Sequence, residues 1–556
     1  GYLEGDQAEN LPTSDEQFLK AQLQRLARRR VERLLEVTLG VADDHMDQFP
    51  PVQARWLTEA LKERLEGPPG AKPLSDSQRI CLELALLTLK DDSTLDELRE
   101  TMLTAEPDIA RLILKRVKPH ASAAAEKLVG TLAEHASLLI QHDEMLQDAR
   151  NKGRVQTEVV PAYRRLARAG VTLLHLGDQR QQALVWDALR FRPNLNLATG
   201  IVHQLKTFAV PQELLIERLL DSASDDIQRY HLLMALGDYD PRELADPARN
   251  TLVDWLLCWY TDTPHAGVHG GIDWLLRVPA PWAALNLAET LDDKRRAIQS
   301  TEPSPVKNWY IDSLGQTFTV FRPPIVDSAL GSLDGEPGRD PGFETRRLRR
   351  FDHAFAIATR MVTFEEFERS DPKQEPYRHD NDVDPTAPVM HVMRRETIKY
   401  CEWLTEQVKP SPGSSPGEYR LPTEDEWEHA CRAGTETSRP HGDDCELLAK
   451  YAWYVQNTTE EKVQPVARLR PNPLGLFDML GNAWEWCLDP WKADPTDRVT
   501  DEQEVANLTI GQDGLGVIRG GSFSNDARLV RAAQRSTNGA ADRGNNLGFR
   551  VARTYT

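Results

Sequence analysis

Apolar residues recur every three and four positions through roughly the first 300 residues, and beyond Gln299 that rhythm is lost. In FLKAQLQRLARRRVERLLEVTL and LDELRETMLTAEPDIARLILKRV the spacing gives each segment an apolar stripe of helical period. Breakers such as EGPPGAKPLSDS, RVKPHAS and FRPNLN cut the region into helix-length pieces. Some pieces echo one another. VTLLHLGDQRQQALVWDALR and LLMALGDYDPRELADPARNTLVDWLL each read as an apolar helix ending in Leu-Gly-Asp, a short loop and a second apolar helix. The two tripeptides are Leu176-Gly177-Asp178 and Leu236-Gly237-Asp238. Helix pairs at periods of about 40 residues suggest a HEAT-like solenoid, which would either present a concave binding surface or act as a spacer between functional domains.

After Gln299, Gly, Pro and Trp become frequent and short strand-like runs appear: TFTVF at 317–321, AFAIATRMVTF at 354–364, EYRLP at 418–422 and GVIRGGSF at 516–523. Long Pro- and Gly-rich loops, SLDGEPGRDPG and KPSPGSSPG, lie between them. Helices are expected at Arg395–Gln407 and Glu424–Arg432, the second with Thr423 as N-cap and Glu426 closing a capping box. The expected architecture is therefore multidomain. An all-α HEAT-like region over 14–290 precedes an α+β domain over 305–556.

Charge narrows the function. Against 67 basic residues stand 86 acidic ones, a net charge of -19, which argues against binding nucleic-acid phosphates. The one basic run, Arg28-Arg29-Arg30, falls in a helical pattern and reads as a solvated face. No apolar run approaches the roughly 20 residues of a membrane span. The opening GYLEGDQAENLPTSDEQ is polar and acidic, unlike a signal peptide. It starts with Gly1 rather than Met, so the chain reads as a piece of a longer protein with domains upstream. None of the six cysteines forms CxxC or a zinc-type set. Buried free thiols in a reducing cytoplasm are expected.

From Arg420-Leu-Pro-Thr-Glu-Asp-Glu-Trp-Glu428 onward a series of blocks follows. It runs through His429-Ala-Cys-Arg-Ala-Gly434, Tyr451-Ala-Trp-Tyr454, Pro471-Asn472-Pro-Leu-Gly475-Leu-Phe-Asp-Met479, Gly481-Asn482-Ala-Trp-Glu-Trp486 and Arg519-Gly-Gly-Ser-Phe523 to Asn546-Leu-Gly-Phe-Arg550. The indoles of Trp427, Trp453, Trp484 and Trp486 can each bury a large area. Gly481, Gly520, Gly521 and Gly548 suit turns or close backbone approach, and Arg550 suits a buried ion pair. The series resembles the formylglycine-generating-enzyme (sulfatase-modifying-factor) family from about Trp309 to Arg553. The resemblance implies that family's C-type-lectin-like fold. Helices ahead of such a domain also resemble the C-terminal halves of planctomycete-type multidomain serine/threonine kinases. Their catalytic domain lies upstream, and this chain has no glycine-rich loop, HRD or DFG of its own.

The resemblance also implies where chemistry should sit. Active members hold Cu(I), a soft metal, on two cysteine thiolates, the first lying three residues after the serine of the GGS block. Here that serine is Ser522 and the position is Asn525. The following run, Asp526-Ala-Arg-Leu-Val-Arg-Ala-Ala-Gln-Arg-Ser536, has no cysteine, and none follows Cys487. Copper and the family's oxidation of a substrate cysteine are not expected. The resemblance further implies a structural calcium on the carbonyls of Gly481 and Ala483 and the carboxylate of Glu485, oxygen ligands that suit a hard cation. A glutamate set between two tryptophans would accept an arginine as well. Related non-haem iron enzymes carry an HxxxH site on a helix. His265 and His269 have that spacing, but TPHAGVHGG is rich in Gly and Pro and reads as a loop.

These observations lead to an expectation of binding or assembly without catalysis, as a scaffold or sensor in bacterial signalling or defence with a protein partner. The candidate ligand surface is Ser522, Asn525, Asp526, Arg528, Arg531 and Arg535, whose arginines would pair with acidic groups of the partner. Two alternatives stand beside it. One is a metal-dependent oxidase or oxygenase of the same superfamily. The other is a hypervariable C-type-lectin-like ligand-binding protein with its variable positions in the polar stretch 524–546.

Overall fold

Eight consecutive residues, Ile80 to Leu87, are buried along the helix Asp76–Thr88. ICLELALL is apolar on nearly every side, so this helix can only sit at the centre of others. In the computed structural model, which describes residues 13–49, 53–67, 72–120, 124–130, 153–300, 302–370, 384–408, 417–458, 462–494 and 514–555, it packs against the helices Thr13–Leu35, Leu39–Met46, Ala54–Glu66, Leu95–Thr104 and Pro107–Val117. Ser75 starts it with a capping box to Gln78. Asp43 takes Lys115 and Arg116 at 2.6 Å each, tying one helix of the group to another. The amphipathic period thus produced helices with their apolar stripes turned inward. The chain forms two compact units, and these helices belong to the first: Gly1–Ala136 with Arg168–Val185 and Thr207–Val210.

The second unit comprises Ser137–Ala167, Trp186–Lys206 and Pro211–Thr556. Its helices include Asn196–Leu205, Gln212–Leu220, Asp226–Leu236, Asp246–Asp262, Ala266–Arg277 and Ala288–Ala297. The Leu-Gly-Asp echo corresponds to a shared helix end, since Val160–Leu176 and Asp226–Leu236 both stop at its leucine. The aspartates then diverge. Asp178 caps the following helix by accepting from the backbone of Arg180 and Gln181, both at 2.9 Å. Asp238 instead accepts from Arg470 at 2.8 Å.

One expectation fails in this unit. The segment TPHAGVHGG is not a loop: Ala266–Arg277 is helical, with His265 at its N-cap position. Glycine weakens a free helix, but here it permits contact. A Cβ on Gly267 would lie 1.9 Å from the carbonyl oxygen of Pro473, and one on Gly270 would lie 2.9 Å from the Cα of Gly475. The helix backbone presses onto the loop 471–475, and that burial outweighs the propensity cost of about 1 kcal/mol per glycine.

Eleven strands follow among the described residues: β1 (Trp309–Ile311), β2 (Thr317–Phe321), β3 (Ile325–Leu330), β4 (Arg347–Phe351), β5 (Ala354–Ala358), β6 (Tyr419–Arg420), β7 (Trp484–Pro490), β8 (Leu515–Arg519), β9 (Arg535–Gly539), β10 (Leu547–Gly548) and β11 (Ala552–Tyr555). One sheet has the order β1-β2-β5-β11-β6, a second β10-β7-β8-β9, and β3-β4 is a hairpin ribbon. The last strand pairs with β5 in the register Thr554↔Phe355 and Ala552↔Ile357, which closes the domain on itself. TFTVF is buried at all five positions, its two threonines included, so the strand is covered on both faces.

The expected run 354–364 is a strand only to Ala358. Thr363 and Glu366 form a capping box that starts the helix Phe364–Ser370, with Thr363 N donating to Glu366 at 3.0 Å and Glu366 N to Thr363 at 3.3 Å. The helices expected at Arg395–Gln407 and Glu424–Arg432 occur as Arg394–Gln407 and Glu424–Arg432. The loop KPSPGSSPG lies outside the described residues except for its last residue, Gly417. Trp427, Trp484 and Trp486 are core residues, while Trp453 is half-buried. All six thiols are free; Cys81, Cys401, Cys431 and Cys487 are buried, Cys445 is half-buried and Cys258 is exposed.

Candidate functional site

The helix Glu424–Arg432 carries four acidic residues within five positions, and each finds cationic partners. Thr423 and Glu426 cap it reciprocally, at 3.2 and 2.8 Å. Glu426 is then clamped by Arg420 through two bonds of 2.7 Å, and Asp425 holds Arg347 and Arg349. Glu428 accepts from Arg432 at 2.8 Å, Arg519 at 2.6 Å and the backbone of Gly331 at 2.7 Å. Bidentate and multiply bonded pairs of this kind are what allow such charges to be buried. They join the helix to β4, β6 and β8, so the block beginning at Arg420 acts as a structural keystone.

Burial alone would raise the carboxyl of Glu428, but Arg519, Arg432 and Arg347 overcome it and hold the group at about 2. Burial also pushes His429 down to about 4, against the pull of Glu426. Both groups bind fewer protons folded than unfolded, so the sign is the same for both. Glu428 contributes stability above its ordinary value of 4.5 and loses it as pH falls towards 2. His429 contributes above 6.5 and loses it as pH falls towards 4. The urea midpoint, read by tryptophan fluorescence, is expected to drop between about pH 6 and about pH 3. A midpoint flat across that range would contradict the paired network.

The turn 481–486 is built over Trp453. Gly481 has φ +72°, and a Cβ there would lie 2.1 Å from the Trp453 carbonyl oxygen, so only glycine fits. Glu485 is fully buried. Arg550 donates to its two oxygens at 2.6 and 2.7 Å, and the Trp427 indole donates at 2.9 Å. Arg550 is thus one of the two partners the sequence allowed for this glutamate. With both oxygens engaged and the charge matched by Arg550, the set Gly481, Ala483 and Glu485 does not fit calcium as arranged, because the carboxylate is already compensated.

The GGS block leads into the turn that would hold copper. Ser522 is fully buried. Its backbone N–H and hydroxyl donate to the Asn525 carboxamide oxygen at 2.9 and 2.8 Å. Ser524 lies 3.0 Å from the Ser522 hydroxyl, and the Asn546 amide donates to both serines at 3.3 and 3.2 Å. Ser522, Ser524, Asn525 and Asn546 therefore form a closed, neutral hydrogen-bonded cluster. Its donors are hydroxyls and carboxamides, and the Asn525 oxygen is occupied twice. Such a set does not fit Cu(I), which takes soft sulfur.

Structure divides the remaining candidates. Asp526 and Arg528 pair with each other at 2.9 Å, with Arg528 exposed. Arg531 and Arg535 are not surface residues, contrary to expectation. Arg531 is 1% exposed and is held by Glu336 at 2.5 Å and Glu344 at 2.8 Å. Arg535 is buried against Glu424, with its guanidinium 4.7 Å above the Trp491 ring. The missed partners Glu336 and Glu344 belong to the loop SLDGEPGRDPGFE, where two glutamates among turn residues were the available signal. His269 lies on the Ala266–Arg277 helix, is stacked 3.6 Å from Trp309 and bonds to the Tyr260 carbonyl at 2.8 Å through Nδ1. It acts as a core histidine.

Comparison with known proteins places this geometry. The family model described as "Sulfatase-modifying factor enzyme 1-like domain" matches residues 335–555. Over 179 residues the chain is 32% identical to a formylglycine-generating enzyme of Mus musculus, covering 30% of this chain and 44% of that protein. It is 30% identical over 167 residues to the serine/threonine-protein kinase pkn1 of Chlamydia pneumoniae, covering 30% of this chain and 24% of that one. It is 28% identical over 179 residues to the inactive C-alpha-formylglycine-generating enzyme 2 of Bos taurus, covering 30% and 50%. The chain thus spans half or less of these curated relatives. No helix among the described residues is long and apolar enough to cross a membrane. The blocks from Arg420 to Arg550, the keystone helix and the glycine turn all fall inside the matched span, and residues 335–555 form a sulfatase-modifying factor enzyme 1-like domain.

Proposed function

We propose that this chain is a noncatalytic binding or assembly protein, a scaffold or sensor, built on a degenerate formylglycine-generating-enzyme-like domain. The observation that carries the reading is Asn525. It stands where the family resemblance implies a copper thiolate, and its carboxamide oxygen already receives two bonds from Ser522. A relative named as an inactive formylglycine-generating enzyme supports the idea that this kind of domain serves without the chemistry. A relative named as a serine/threonine-protein kinase supports a place in signalling. In this reading the domain has the C-type-lectin-like arrangement, and the helical half is a HEAT-like spacer or second binding surface. A protein partner would meet the Ser524 and Asn546 edge and the exposed Arg528, since Arg531 and Arg535 are taken by the core. Calcium is not required, and the free thiols fit a reducing compartment.

Elemental analysis of the purified full chain, with oxygen uptake measured on cysteine-containing peptides, tests the proposal. Trace copper and iron with no uptake is the expected result. About one copper or iron per chain, the stoichiometry of a catalytic metal site, together with peptide-dependent uptake, would overturn it.

A further inference from the structure

We propose that a cleft between the helix Ala266–Arg277 and the C-terminal sheets binds a small molecule carrying one oxyanion, carboxylate or phosphate, on an apolar body. This site is separate from the Ser522 cluster and does not rest on the function proposed above. The cleft has a volume of about 500 Å³, within the range of small-molecule sites. All of its residues belong to the second compact unit.

Its apolar lining includes Trp309, Trp274 and Phe477, each at most 5% exposed, and the more open Leu314. Most charges in the walls are already spent. Arg277 bonds to Asp273 at 2.9 Å and Asp292 at 2.7 Å. Arg360 bonds to Glu366 at 3.0 Å, and Arg295 bonds to the Gly315 carbonyl and the Thr317 hydroxyl. These contacts fix the shape of the cleft and leave two lining cations uncommitted. Arg369 and Arg468 are exposed and make no ion pair or hydrogen bond among the described residues; Arg468 acts on Asp384 only through space. Two guanidinium forks lining one concave site suit a carboxylate or phosphate. Trp274 gives the wall part of its ring, while its indole N–H is buried away from the cleft, so recognition of the oxyanion rests on the two arginines. Glu365 also lines the cleft, and the chain carries a net charge of -19. Both repel an extended polyanion, which favours a single oxyanion over a charged polymer.

The test uses the full chain and two probes, 4-fluorobenzoate and 4-fluorophenyl phosphate, observed by ¹⁹F NMR. Millimolar protein-dependent line broadening of either probe is expected, and which probe broadens identifies the oxyanion. The variant R369E/R468E is expected to bind about tenfold more weakly, because attraction becomes repulsion at both arginines. R242E, at an exposed pair with Asp240 outside the cleft, is expected to bind as the parent does. No broadening with either probe would overturn the proposal, as would broadening that persists in R369E/R468E.

Discussion

Arg550→Met is expected to destabilise the C-terminal domain by about 3–5 kcal/mol, the cost of leaving a buried charge uncompensated. Glu485 has no route to solvent, and two of the three donors on its carboxylate come from Arg550. The same guanidinium bonds to the carbonyls of Ala358 and Phe477, at 3.1 and 3.0 Å, so its loss also strands acceptors on the first sheet and on the loop before the turn. Removing both partners, as Arg550→Met with Glu485→Gln, is expected to recover much of the loss, because no bare charge then remains. Urea unfolding followed by tryptophan fluorescence measures it. The experiment also reports on calcium. If Arg550→Met costs less than about 1 kcal/mol, or if millimolar calcium restores the variant, then a cation other than Arg550 serves Glu485.

Gly267→Ala is expected to cost about 2–3 kcal/mol by overpacking, although alanine is the better helix former. The added carbon would sit 1.9 Å from the backbone oxygen of Pro473, which cannot swing aside as a side chain could. Gly40→Ala is the control, since a Cβ there meets nothing within 4 Å. It should be neutral or slightly stabilising. Hydrogen exchange locates the effect, with amides of Ala266–Arg277 exchanging faster in Gly267→Ala and unchanged in Gly40→Ala. Equal behaviour of the two variants would mean that the helix does not depend on its contact with the loop 471–475.

Much of the architecture was legible because it rests on local rules. The period of three and four in the first half, the capping box at Thr423 and Glu426, and the β-branched and aromatic run TFTVF each specify an element from a few neighbouring residues. The ordered blocks carried the C-terminal domain, and the absence of a cysteine at Asn525 was plain in the sequence. The run 354–364 predicts a longer strand than the one that forms at 354–358, because the capping box at Thr363 competes with strand continuation and its polar signal is hidden inside an apolar run.

What the sequence determined by itself is the order of elements and the absence of cysteine from the GGS turn, since residue type alone decides whether sulfur is present. What tertiary structure decided is which polar groups face solvent. Arg528 and Arg531 stand three apart in one polar stretch, yet one is exposed and the other is closed off by Glu336 and Glu344, nearly 200 residues earlier in the chain. A charge is buried only where distant segments deliver its counter-charge, and no local pattern encodes that meeting. The segment His265 to Gly271 follows the same logic. Its glycines argue for a loop until the backbone of Pro473 and Gly475 arrives, and close packing then makes it a helix.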